Sequence, residues 1–116
     1  MKILECVPNF SEGRDAGTVR AIAAAVQAVR DVRLADVNRD ADHNRSVFTF
    51  LGEADNVVRA ALAAAQAAFA RIDLRAHQGA HPRIGAADVV PFVPLADADM
   101  RDAVAAAHRF GREAGG

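Results

Sequence analysis

Apolar side chains in this sequence switch between a two-residue and a three-to-four-residue period, and each switch marks an element. Ile3 to Val7 is a short apolar run closed by Pro8, which cannot extend a ladder. It predicts a buried strand, followed by turn chemistry at Asn9-Phe10-Ser11-Glu12-Gly13. From Asp15 the period lengthens: Val19, Ile22, Val26 and Val29 share one helical face, with Asp15 or Ser11 placed to cap its start. Val32 to Val37 predicts a second strand and Asn44 to Gly52 a third, separated by the polar stretch Asn38 to His43. Two strands so joined predict an antiparallel hairpin. Glu53-Ala54-Asp55 opens a second helix with Val58, Leu62, Ala65, Phe69 and Ile72 on its apolar face. A polar stretch follows, then a strand through Val93, then a third helix from Asp97 to Phe110 presenting Met100, Val104, Ala107 and Phe110. Glycines after Phe110 supply its C-cap.

The order is β-α-β-β-α-β-α. A helix after the first strand and another after the third predict an α+β fold of the ferredoxin-like type. This is a two-layer sandwich, an antiparallel sheet with helices on one face, built as a single domain over residues 1–116. The third strand is apolar on both sides, with Val47 and Leu51 opposite Phe48 and Phe50. A sheet with one solvated face alternates more sharply. Its second face is therefore expected to meet further polypeptide or a second copy.

Composition narrows the partners. With 14 basic and 15 acidic residues interspersed and a net charge of −1, the chain offers no footprint for nucleic acid or an anionic membrane. Its aromatic residues are six phenylalanines, few platforms for stacked bases. No apolar run approaches the roughly 18 residues that span a bilayer. Met1-Lys2-Ile3-Leu4-Glu5 is charged too soon for a secretory signal, so a cytoplasmic setting is expected. The single cysteine, Cys6, excludes an internal disulfide and reads as a buried, inert thiol.

Candidate chemistry is concentrated between His77 and Asp88, where two of the four histidines, an arginine, a proline, two glycines and an aspartate fall within twelve positions. Lying between a helical pattern and an apolar strand, the stretch reads as a loop that delivers polar side chains to a strand mouth. His81 leads the candidates, because an imidazole accepts and donates a proton near neutrality. Pro82 biases His81 towards an extended backbone. Gly79 and Gly85 admit conformations closed to other residues and let a ligand approach the backbone. The alternative is a solvated surface histidine. His77 and His81 have the spacing of a metal-binding helical pair, but Gly79 and Pro82 oppose a helix and the accompanying glutamate is missing, so no metal is expected.

Three motifs carry a resemblance to a known family. H-P-R-I-G-A-A-D (His81–Asp88) followed by V-x-P-F-V-P looks like the signature of the formiminotransferases, the glutamate formimidoyltransferases of histidine breakdown. E-C-V-P-N-F-S-E-G (Glu5–Gly13) is similar to that family's amino terminus, and N-R-S-V-F-T-F (Asn44–Phe50) to its third strand. The resemblance implies transfer of a formimino (or formyl) group from N-formimino-glutamate to N5 of tetrahydrofolate, with the folate as co-substrate and no metal. His81 falls at the family's catalytic histidine. Arg45 and Arg83 are the candidate clamps for substrate carboxylates, with solvated arginines as the alternative. Asn9 and Asn44 are hydrogen-bonding candidates, or else turn formers. Asp36 and Asn38 occupy a place where the family often has D-x-D, one acid of which would orient the imidazole. An amide at 38 accepts the same hydrogen bond but stabilises imidazolium less. In that family the chain continues into a second subdomain, so this sequence is expected to supply the catalytic-histidine half of a cleft, as a fragment or as a free-standing first subdomain. The competing reading is a non-catalytic ferredoxin-like module for small-ligand binding or subunit association.

Overall fold

The computed structural model describes residues 2–10, 16–40, 42, 45–75 and 87–115. Among them are six strands and three helices: β1 (Ile3–Cys6), β2 (Asn9–Phe10), α1 (Ala16–Gln27), β3 (Val32–Asp40), β4 (Arg45–Glu53), α2 (Ala54–Arg75), β5 (Ala87–Val89), β6 (Phe92–Pro94) and α3 (Met100–Gly115). Every strand pairing is antiparallel, so the fold is α+β with one open sheet. β4 is its spine. On one side it pairs along its whole length with β3, and on the other it pairs first with β2 and then with β1. β5 continues the sheet outside β2, and β6 outside β1.

Two prolines interrupt neighbouring strand pairs at the same level. β1 and β2 are separated at Val7-Pro8, and β5 and β6 at Val90-Pro91, with the Val7 N–H donating to the Pro91 carbonyl at 3.2 Å. Asn9 and Phe10, expected in a turn, are therefore strand residues, because β4 and β5 both offer them ladder partners. The second strand also runs further than its composition suggests. Asn38, Arg39 and Asp40, expected in the turn, pair with Val47, Ser46 and Arg45. Cross-strand pairing here overrides the local turn preference of asparagine and aspartate.

All three helices cover one face of the sheet. That face carries Leu4, Cys6, Phe10, Phe48, Phe50 and Phe92, which form one buried cluster with Val19, Ile22 and Val26 of α1. Phe10 and Phe48 meet edge to face, their centroids 5.6 Å apart. α2 packs through alanines and two valines (Val57, Val58, Ala60, Ala61, Ala64, Ala68), while Leu62 and Phe69, expected on its apolar face, are half-buried, Leu62 packing against the edge of the cluster. α3 is turned further from expectation. Its buried positions are Ala103 and Ala106, whereas Met100 and Val104 are 64% and 48% exposed. Small residues let these helices approach closely, so the large side chains end up at the margins.

The start of α3 follows from a reciprocal cap. The Asp102 N–H donates to Asp99 Oδ1 at 3.2 Å, and the Asp99 N–H to Asp102 Oδ2 at 2.9 Å, an aspartate version of the capping box. Lys2 donates to Asp102 at 2.8 Å and ties this turn to β1. The Lys2 hydrogen bond, with that of the Asp99 N–H, holds the Asp102 carboxyl below its usual range.

Gly52, opposite Leu4 on one side and Val32 on the other, has no room for a side chain. A Cβ there would lie 2.8 Å from the carbonyl oxygen of Asp31, a residue held at φ 61° in the turn before β3. Gly52→Ala is expected to destabilise the protein by about 1–3 kcal/mol, read as a thermal midpoint lowered by several degrees. An unchanged midpoint would mean that the Asp31 turn moves aside freely.

Candidate functional site

Register decides which residues share the face turned away from the helices. On β4 the buried positions are Ser46, Phe48, Phe50 and Gly52, so Arg45, Val47, Thr49 and Leu51 occupy the open face. Asn9 and Asn38 flank Val47 on its two sides, Asp36 lies opposite Thr49, and Asp40 opposite Arg45. Four residues singled out from the sequence, Asn9, Asp36, Asn38 and Arg45, are thus brought onto one surface. Asp36, Asn38 and Arg45 are exposed and Asn9 is half-buried. Asn9 Oδ1 is buried yet accepts no hydrogen bond from a described residue. A buried acceptor left in that state costs about 1–3 kcal/mol unless a donor reaches it.

The other four, His81, Arg83, Asn44 and Gly85, lie outside the described residues. Their flanks do not. Phe10, which ends β2, pairs with Ser46 on one side and with Ala87 on the other. Each belongs to one of the three motifs: Phe10 to Glu5–Gly13, Ser46 to Asn44–Phe50 and Ala87 to His81–Asp88. Phe10, Ser46 and Ala87, far apart in sequence, are therefore neighbours on adjacent strands.

Sequence reasoning missed Glu5, Arg33 and Thr49, which share the open face with the predicted group. Arg33 was hidden by an irregularity. Leu34 pairs with Phe50 but Asp36 with Thr49, so Ala35 is an extra residue and the strand changes parity around it. Odd positions of β3 face outward before the bulge and even positions after it. A chain read by alternation alone cannot put Arg33 and Asp36 on one face.

Two further groups are accounted for elsewhere. Cys6 is fully buried on the helix side, and burial pushes its thiol far above the ordinary range, which suits an inert packing residue. A cleft of about 340 Å³ between α2 and α3 is lined by charged residues that already pair, Lys2 with Asp102 and Arg109 with Asp55. No motif residue lines it. Among the described residues no group of three or more histidine, cysteine, aspartate or glutamate side chains is placed to hold a metal. No described helix is long and apolar enough to cross a membrane.

Residues 3–116 match the model of the formiminotransferase domain, N-terminal subdomain. A glutamate formimidoyltransferase of Thermoplasma acidophilum is 50% identical over 115 residues, covering 99% of this chain and 38% of that protein. One from Streptococcus pyogenes is 42% identical over 118 residues, covering 98% of this chain and 40% of its own length. A formimidoyltransferase-cyclodeaminase of Gallus gallus is 45% identical over 111 residues, or 96% of this chain and 20% of that protein. The chain thus spans two fifths or less of the length of these curated relatives. With one described residue from each motif, Phe10, Ser46 and Ala87, paired on adjacent strands, and a match over nearly its full length, the chain belongs to the formiminotransferase family, within its N-terminal subdomain.

Proposed function

We propose that this chain supplies the proton-transfer half of a folate-dependent formiminotransferase, in a ferredoxin-like framework. The strand arrangement supports the framework: with the two proline-interrupted pairs each counted as one strand, the last lies beside the first, then the third, then the second. The observation that carries the function is the pairing of Phe10 with both Ser46 and Ala87, which sets one described residue from each of the three family motifs on adjacent strands.

In this reading N5 of tetrahydrofolate attacks the formimino carbon of N-formimino-glutamate. His81 takes the proton that N5 loses as the new C–N bond forms. It returns that proton to the glutamate nitrogen as the old C–N bond breaks, leaving N5-formimino-tetrahydrofolate and glutamate. Asp36 and Asn38 orient the imidazole. Arg45 and Arg83 clamp substrate carboxylates, Asn9 and Asn44 hydrogen-bond the ligand, and Gly85 lets it approach the backbone. The unmet acceptor of Asn9 supports its part, since a substrate N–H would satisfy it. Half-buried Val47 and Leu51 support a second layer over this face, either the second subdomain or another copy of the chain. A cytoplasmic setting fits two water-soluble substrates.

The test is to incubate the complete protein with N-formimino-glutamate and tetrahydrofolate. Formation of the N5-formimino folate supports the reading. Its absence from a folded protein overturns it in favour of a non-catalytic module.

A further inference from the structure

We propose that Glu5, Leu51 and Arg33 form a receptor for the two ends of a formimino donor, with Glu5 selecting its cationic group. This rests on the reading just given, and the experiment below separates the two.

The three residues occupy one rung of the open face: Glu5 pairs with Leu51, and Leu51 with Arg33. Adjacent strands are about 4.8 Å apart, so the carboxylate and the guanidinium arise about 10 Å from each other with an apolar side chain between them. Neither makes a side-chain hydrogen bond or ion pair with another described residue. Glu5 is half-buried on a strand in the sheet's interior, with apolar neighbours on both sides, Leu51 and Val93. A carboxylate there has lost part of its hydration and gains most from a charged donor.

A formimino donor has the matching chemistry. Its amidine is protonated near neutrality, planar, and presents two N–H groups in a fork, as a guanidinium does. That fork fits the Glu5 carboxylate bidentately. The donor's own carboxylates lie within reach of Arg33, and its methylenes across Leu51. Holding the amidine in its cationic form also keeps its carbon electrophilic towards an attacking amine. A formyl donor has the same carboxylates but a neutral amide, which gives the Glu5 carboxylate no cation. The rung therefore discriminates formimino from formyl donors, a choice that the histidine cannot make.

Binding is the readout, so that this assignment and the reaction fail separately. Titrated into the complete protein, N-formimino-glutamate should bind more tightly than N-formyl-glutamate. Glu5→Gln should reduce that preference about tenfold or more, the scale of a lost charge-assisted hydrogen bond. Glu5→Leu, matched to its apolar neighbours, should do the same and serves if the glutamine variant folds poorly. Arg33→Gln should weaken both donors to a similar extent. A preference that survives both Glu5 variants, or two donors that bind equally to the unaltered protein, overturns the assignment. A Glu5-dependent preference in a protein that transfers neither group upholds the rung and overturns the reaction.

Discussion

Replacing His81 by alanine in the complete protein is expected to slow formimino transfer at least about a hundredfold, with a much smaller effect on donor binding. The reaction needs a proton removed from one nitrogen and delivered to another within the same encounter. An imidazole performs both steps near neutrality because its ordinary pKa is about 6.5. Alanine removes that shuttle and leaves the charged groups that hold the substrates, so the loss should fall on kcat rather than KM. The pH profile gives an independent check. In the unaltered protein the rate should rise with pH as the imidazole becomes available as a base, and in His81→Ala that limb should disappear. A turnover within a few fold of the parent would remove His81 from the mechanism, however well the motif matches.

Phe48→Ala is expected to cost about 3–5 kcal/mol of folding free energy, the range for truncating a fully buried phenylalanine. Phe48 has no exposed surface and packs edge to face on Phe10. Whole domains are stable by only about 5–15 kcal/mol, so this one change removes a large share. In urea the midpoint should fall by more than about 1 M, since slopes for small proteins are about 1–3 kcal/mol/M. The effect should reach function before global unfolding. Phe10 loses its ring partner, and Phe10 is the residue that pairs with Ser46 and Ala87 between the motif segments. Transfer activity should therefore decline at temperatures where circular dichroism still reports a folded protein. Full activity up to the unfolding transition would show that the Phe10–Phe48 contact does not hold the site.

Much of the fold is legible in the sequence where one physical signal dominates. The face Val19, Ile22, Val26 is read directly from helical spacing and is buried as expected. So is the division of β4 into a phenylalanine side and a valine-leucine side. Legibility fails where tertiary pairing outvotes local chemistry. Asn9-Phe10 and Asn38-Arg39-Asp40 carry turn residues, but β4 recruits both stretches as strands. It fails again where alanine does the packing. Size-based reading puts Met100 and Val104 inside, whereas close helix approach selects Ala103 and Ala106. For the site, motif residues cluster in sequence and could be picked out there. Glu5 and Arg33 could not: Glu5 joins that face through its pairing with Leu51, and Arg33 shares it with Asp36 and Asn38 because of the extra residue at Ala35.

Pro94 has a consequence for self-association. β6 lies at one margin of the sheet, where Val93 and Leu95 face β1 and Pro94 has no amide hydrogen to offer an incoming strand. At the opposite margin β3 presents Arg33, Asp36, Arg39 and Asp40 around its bulge. β6 and β3 thus resist the sideways annealing that leads to fibres. With edge-on growth disfavoured at β6 and β3, the direction left for assembly is across the flat of the sheet.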